Sequence, residues 1–246
     1  MEKFKEDIAF KRKKKKIKVM YNIIDKNYED FFNREFDVEF IHISKVSNNN
    51  YEDIDLLLFT GGSDVNPSLY NENKGRLTFI DESRDKVEAE MFYNFIHIPK
   101  IGICRGAQFL TVMNGGKLVQ HVENHTQTHK ITLLRKFFPN PIGIGRNSSV
   151  RTNQYEITST HHQMMYPFNL KRHKFELIGW SKYNRSSIYL DGKNEQIKLP
   201  DDFLEPEIVF FKNTSSLCIQ GHPEFPNCNS STKKIILNLI KNKLLK

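Results

Sequence analysis

Cysteine is scarce in this 246-residue chain. The three present, Cys104, Cys218 and Cys228, form no even framework and no CxxC pair. That excludes a disulfide-stapled scaffold and points to a reducing compartment, where a free thiol persists. Long apolar runs are missing as well, none approaching the roughly 18 residues of a membrane span. The N-terminus, MEKFKEDIAFKRKKKKIKVM, carries charge on both sides of a very short apolar patch, unlike a secretory signal. The expectation is a cytoplasmic protein with no membrane partner. There is no internal repeat and no long linker, so one domain is expected.

What is present suits a folded enzyme-sized body: 38% hydrophobic and 12% aromatic residues, over a length that fits one large domain better than two small ones. The formal net charge of +8 is unevenly placed. Residues 1–16 hold eight Lys/Arg against three acids, and so carry five of the eight excess charges. This segment reads as a basic, solvated tail ahead of a domain spanning 17–246. The body carries no clear stripe of basic and aromatic residues, so nucleic acid is not an expected partner apart from that tail.

Along the body, IKVMYNII and EFIHIS read as strands, and DIDLLLF is a buried-type run that stops at the turn-rich TGGSDVNP. DESRDKVEAEMFYNFI carries Val87, Met91, Phe92 and Phe95 at helical spacing, with acids early. IPKIGI is a further short strand, and RGAQFLTVMN a helix ended by Gly115-Gly116. This alternation predicts an α/β fold with a mainly parallel sheet. Beyond residue 116, KITLL, KFELIGWSKY, SSIYL and PEIVFF predict an antiparallel extension. The last segment, SSTKKIILNLIKNKLLK, predicts a helix with Ile235, Ile236, Leu239, Ile240 and Leu244 on one face.

The stretch KIGICRGAQFLTVMNGG raises the chemical question. Cys104 sits where a strand gives way to a helix, with Gly102 and Gly106 two residues to either side. A sharp strand-to-helix turn that presents a nucleophile needs small residues at those positions, because neighbouring backbone crowds them. A thiol there also sees the positive end of the helix dipole, which favours its thiolate. The backbone N–H of Arg105 would face an oxyanion forming on a substrate carbonyl, and Gly61-Gly62 at another strand end offers a second such donor. No Gly-Lys-Ser/Thr follows that loop, so it is not a phosphate loop. In LCIQGHPEFP, His222 and Glu224 lie two apart at the end of an apolar run and project to the same side in extended chain. That suits a base and its orienter. The alternative is a buried structural cysteine, an ordinary tight loop and a surface His/Glu pair. The company of all three at strand ends favours catalysis.

GICRGAQ resembles the G-x-C-x-G-x-Q motif of class I glutamine amidotransferase domains, and GHPEF their His-x-Glu segment. Within that superfamily the chain most resembles the gamma-glutamyl-gamma-aminobutyrate hydrolase family. Four blocks in order carry the likeness: LLLFTGGSDVNPSLY, DESRDKVEAE with IPKIGICRGAQFLTVMNGGKL, TSTHHQ and IQGHPEFP. The resemblance implies a flavodoxin-like three-layer α/β/α sandwich. It also implies a triad of Cys104 as nucleophile, His222 as base and Glu224 as orienter, with oxyanion donors on Gly62 and Arg105. Gln108, Ser159, His161 and His162 match blocks near the substrate, and which of the two histidines faces it stays open. Arg84 and Asp85 match a family pattern that fits either an ion pair fixing helix to loop or substrate binding. The implied reaction is hydrolysis of a gamma-glutamyl amide through a thioester, without metal or organic cofactor. The implied partner is a small gamma-glutamyl substrate. Self-association, a glutaminase role feeding a separate synthetase chain, and a non-catalytic binding module remain alternatives.

Two features depart from the family pattern. Gly221 stands before His222, where a bulky aromatic is common, so a different pocket wall is expected. His121, His125 and His129 recur at four-residue spacing, but the polar, turn-prone ENHTQTH does not suit a continuous helix face and no acidic or cysteine ligand set accompanies them, which argues against a metal there.

Overall fold

The structure is a computed structural model and describes residues 16–46, 53–134, 152–181, 185–200 and 203–245. Apart from Lys16, the segment expected as a basic tail lies outside the described residues.

The first half of the chain alternates strand and helix. β1 (Ile17–Tyr21) leads into α1 (Lys26–Phe32), whose N-cap Asp25 accepts from the Asn27 N–H. Then come β2 (Val38–His42), β3 (Leu56–Phe59), α2 (Glu82–Asn94), β4 (Lys100–Ile103) and α3 (Arg105–Met113). The second half is mostly strand: β5 (Lys117–Val119), β6 (His121–Val122), β7 (His129–Leu134), β8 (Thr152–Ile157) and β9 (Met164–Tyr166). After β10 (Phe175–Ser181), β11 (Tyr189–Leu190), β12 (Pro206–Phe211) and β13 (Ser216–Ile219), α4 (Ser230–Lys243) closes the fold. Among the described residues no helix is long and apolar enough to cross a membrane.

Among the described residues, nine strands form one sheet in the order β2-β1-β3-β4-β13-β12-β10-β7-β8. The first five run parallel, and their spatial order is that of flavodoxin-like sheets. From β13 outward every pairing is antiparallel. The expected extension is therefore present and adds four strands to the five parallel ones. Two short ribbons, β6 with β11 and β5 with β9, lie apart from the main sheet.

Helices cover both faces, which is why β3 reads as an unbroken apolar run. Successive side chains of a strand go to opposite faces. Leu56 and Leu58 join Phe31 and Phe32 of α1 and Ile236 and Ile240 of α4. Leu57 and Phe59 join Met91 and Phe92 of α2 and Phe109 and Leu110 of α3, with Phe59 stacked on Phe109. The result is the expected three-layer sandwich. α4 begins from an Asn229 cap, whose side chain accepts from the Ser231 N–H.

α2 differs in kind from its expected apolar face. Met91 and Phe92 are buried, but Val87 and Phe95 are only partly so, and the inward positions of the first turns are Arg84, Asp85 and Glu88. Those charges are paired. Arg84 Nε binds Glu88 at 2.8 Å, while the buried Arg105 guanidinium binds both Glu88 and Asp85. Arg84 also donates to the carbonyls of Thr60 and Gly61, both at 2.8 Å. The ESRD segment thus fixes helix to loop, and the partner of Asp85 is Arg105.

Candidate active site

β3, β4 and β13 are parallel neighbours, so their carboxyl ends open on the same edge of the sheet. In open α/β sheets that edge is where ligands bind. The chain leaves β3 into Thr60-Gly61-Gly62, leaves β4 into Cys104, and leaves β13 into Gln220-Gly221-His222.

Cys104 has φ 53° and ψ −112°, a conformation that L-residues rarely adopt. Its N–H is held by the Ile219 carbonyl at 2.8 Å, and its own carbonyl accepts from Ala107 and Gln108 as α3 begins. The flanking glycines are sterically required. A Cβ on Gly102 would stand 2.3 Å from the Gly106 carbonyl oxygen, and one on Gly106 would stand 2.0 Å from that of Phe59. Gly62 has φ +142°, and a side chain there would run into the Arg84 guanidinium. The N–H groups of Gly62 and Arg105 have no partner among the described residues. The Arg105 side chain points the other way, into the ion cluster with Asp85 and Glu88.

The His222 ring pairs through Nδ1 with Glu224 Oε1 at 2.7 Å and through Nε2 with the Thr160 hydroxyl at 2.7 Å. Phe225 stacks on it at 4.2 Å between centroids. Burial alone would drive this imidazole neutral. Hydrogen bonds with Cys104 and Glu224, and the negative charge of both, outweigh burial and raise its pKa to about 10. Tyr28, from α1, accepts from the Gly61 N–H at 2.9 Å. Burial first, and then the Glu224 charge, raise the Tyr28 pKa well above its usual value, so the hydroxyl stays protonated beside that carboxylate.

A cavity of about 380 Å³ lies over this edge, lined by Gly62, Asp64, Cys104, Gln108, Thr160 and His222 among others. Ser63, Phe79, Arg105, His161, His162 and Gln163 complete its wall. The structure thus gathers Cys104, His222, Gly62, Arg105, Gln108, His161 and His162 around one space, with Glu224 behind His222. Gln108 is buried and donates to the Gln163 carbonyl at 2.9 Å. The two histidines differ. His162 is partly exposed and bonds to Asp64 at 3.1 Å, whereas His161 is buried with Nδ1 on the Gln163 carbonyl at 2.8 Å. Ser159 is fully buried and does not line the cavity, because β8 and the loop after it turn its hydroxyl inward.

Two expectations need correcting. Gly221 is not part of the pocket wall: a Cβ there would meet Ile157 at 2.7 Å and the Thr158 carbonyl at 2.9 Å, so β8 already fills the space. Nor do the histidines beyond β5 lack acids. Glu205 and Glu207, at the start of β12, reach His125 and His129 across the sheet, although they are remote in sequence. The residues that sequence reasoning missed are Tyr28, Asp64, Thr160, Glu205 and Glu207. Two glutamates at one end of an apolar strand were a legible hint, since buried carboxylates demand partners. Nothing in the sequence marked Tyr28.

A parallel 2-1-3-4-5 core with a cysteine on a strained turn at its edge is the architecture of the class I glutamine amidotransferase-like superfamily, and the comparisons agree. The Peptidase C26 family model matches residues 10–176, two-thirds of the chain, and the chain belongs to that family. The match includes the Cys104 turn and ends before His222. A glutamine amidotransferase-like protein of Rickettsia prowazekii is 25% identical over 80% of this chain and 80% of its own length. Protein NtpR of Enterococcus hirae is 26% identical over 74% and 71%. Among solved structures, a glutamine amidotransferase of Thermotoga maritima superposes with TM-score 0.52 at 15% identity, over 93% of this chain and 84% of its own. That likeness bears on the fold. Family membership defines a cysteine-dependent hydrolase or amidotransferase type of enzyme.

Proposed function

We propose that the chain hydrolyses gamma-glutamyl amide bonds through a gamma-glutamyl thioester on Cys104. The observation that carries this reading is the strained Cys104 turn on the cavity wall, with a doubly hydrogen-bonded His222 beside the sulfur. In the first half-reaction the Cys104 thiolate attacks the amide carbonyl, and the oxyanion meets the N–H groups of Gly62 and Arg105. His222, oriented by Glu224, gives its proton to the leaving nitrogen as the C–N bond breaks. In the second, His222 takes a proton from water, which attacks the thioester and returns the thiolate and free glutamate.

The cavity supports a small polar acyl group. Its volume lies at the low end for ligand sites. Asp64 supplies a carboxylate suited to an ammonium group, and His162, bonded to it, is the histidine with an exposed face for substrate. Phe79 is 71% exposed and offers an apolar wall at the rim for the departing amine.

The test is intact-protein mass spectrometry with a panel of gamma-glutamyl amines and glutamine. A glutamyl adduct should form on Cys104, be absent in Cys104→Ser and accumulate in His222→Asn. Release of glutamate from glutamine alone, with gamma-glutamyl amines inert, would replace this reading with that of a glutaminase. An adduct on another residue, or none with any substrate, would sink it.

A further inference from the structure

Behind the candidate active site lies a second buried group that the proposed chemistry does not use. Three atoms converge there without a hydrogen-bond partner: His125 Nδ1, His161 Nε2 and Glu207 Oε2. Their side chains are fully or almost fully buried, and they come from three separate segments: the loop after β6, the loop between β8 and β9, and β12. One ligand-type atom from each lies within 4.8 Å of the others. The two imidazoles face each other at 4.7 Å between centroids.

The far side of each group is already anchored in a way that leaves a lone pair pointing inward. His161 donates its Nδ1–H to the Gln163 carbonyl at 2.8 Å, which fixes Nε2 as the bare nitrogen. His125 faces Glu205 through Nε2 at 3.1 Å, and in the neutral ring donation there leaves Nδ1 bare. Glu205 is itself held by the Ser186 N–H and by the Ser181 and Tyr189 hydroxyls. Glu207 Oε1 is bonded by His129 Nε2 at 2.7 Å, which leaves Oε2 free. An outer carboxylate or carbonyl orienting each imidazole is the arrangement found around metal-binding histidines. A proton shared between His125 Nδ1 and Glu207 Oε1, 3.6 Å apart, would satisfy one contact and leave the His161 nitrogen without a donor.

We propose that His125, His161 and Glu207 bind one divalent transition-metal cation of the zinc class. Two imidazoles and one carboxylate are a donor set that zinc accepts, with a water completing four-coordination. Bonds of about 2.0–2.2 Å require the three atoms to draw together by about an ångström. The cation ties the loop bearing His161 to β12. Thr160 on the same loop contacts His222, so metal occupancy holds one wall of the cavity in place. The ion is structural and takes no part in bond breaking.

Elemental analysis of the full chain, purified without a metal-affinity tag, should find about one equivalent of a divalent transition metal. The chelator-treated chain should bind cobalt one-to-one with the visible absorption of a tetrahedral site, and its Tm should rise with zinc concentration. Both responses should persist in Cys104→Ala, which separates this site from the thiol and from the proposed hydrolysis. His161→Gln and Glu207→Gln should each abolish the cobalt band, with far-UV circular dichroism verifying the fold of each. Metal below about a tenth of an equivalent, together with no cobalt band and no Tm response in the wild-type chain, would overturn the proposal. So would a band that disappears in Cys104→Ala.

Discussion

Two buried polar clusters flank the cavity, and they are built differently. Under the parallel half, Arg84, Arg105, Asp85 and Glu88 match two positive charges with two negative ones. All four carboxylate oxygens have donors, one of them the Asn66 N–H, and Arg105 Nε is the leftover group. Under the antiparallel half, His125, His129, His161, Glu205 and Glu207 leave His125 Nδ1, His161 Nε2 and Glu207 Oε2 facing one another without a hydrogen-bond partner. A closed ion cluster is finished within the chain and stiffens what rests on it, here the Cys104 turn. An open one asks for something from outside.

The comparison is broken or sharpened by a graded set of measurements. The largest effect belongs to the sulfur that the closed cluster supports. Cys104→Ala should lower kcat with a gamma-glutamyl amide by about 10⁴-fold or more, read by amine release. Next is the closed cluster itself. Arg105→Met leaves Asp85 and Glu88 buried without their shared cation and should cost about 3–5 kcal/mol in urea unfolding. His161→Gln in chelator-treated protein loses no partner at Nε2 and should cost about 1–2 kcal/mol. Equal costs for these two would erase the distinction between the clusters. Gly106→Ala drives a methyl into the Phe59 carbonyl and should cost about 1–3 kcal/mol, with activity falling in parallel.

The pH response is subtler. Because the His222 pKa is raised from 6.5 to about 10, the folded chain keeps a proton that the unfolded chain releases. Its contribution to stability is complete below pH 6.5, fades as pH rises, and is gone above about 10. The difference in unfolding free energy between wild type and His222→Gln should therefore narrow over that interval. In NMR titration, Glu224→Gln should lower the His222 midpoint by about one unit or more. The smallest effect is expected from Tyr28→Phe, at about 1 kcal/mol. It removes one acceptor from Gly61 and leaves the carboxylate-to-imidazole contact intact.

Much of the parallel half was legible because its signals are local. Gly102-x-Cys104-x-Gly106 reports crowding within one turn, and Leu56–Phe59 reports burial on both faces. α1 escaped notice because KNYEDFF is short and half charged, and its inward Tyr28, Phe31 and Phe32 count only once α4 packs beside them. The ESRD start of α2 suggested an ion pair, but its cation partner for Asp85, Arg105, comes from another element. His125 and Glu207 likewise meet through strand pairing, which one-dimensional spacing does not encode. Local motifs identified the turn that presents the thiol, and tertiary pairing decided which charges surround it.

β13 runs with β4 on one side and against β12 on the other, so it is the seam of the whole sheet. The thiol and the imidazole sit on adjacent strand ends although the entire antiparallel half intervenes along the chain. A ribosome must therefore deliver the chain past β13 before the two can meet. Under the proposed reaction, a nascent chain that displays the cysteine turn alone lacks its base and stays idle until β13 has paired with β4.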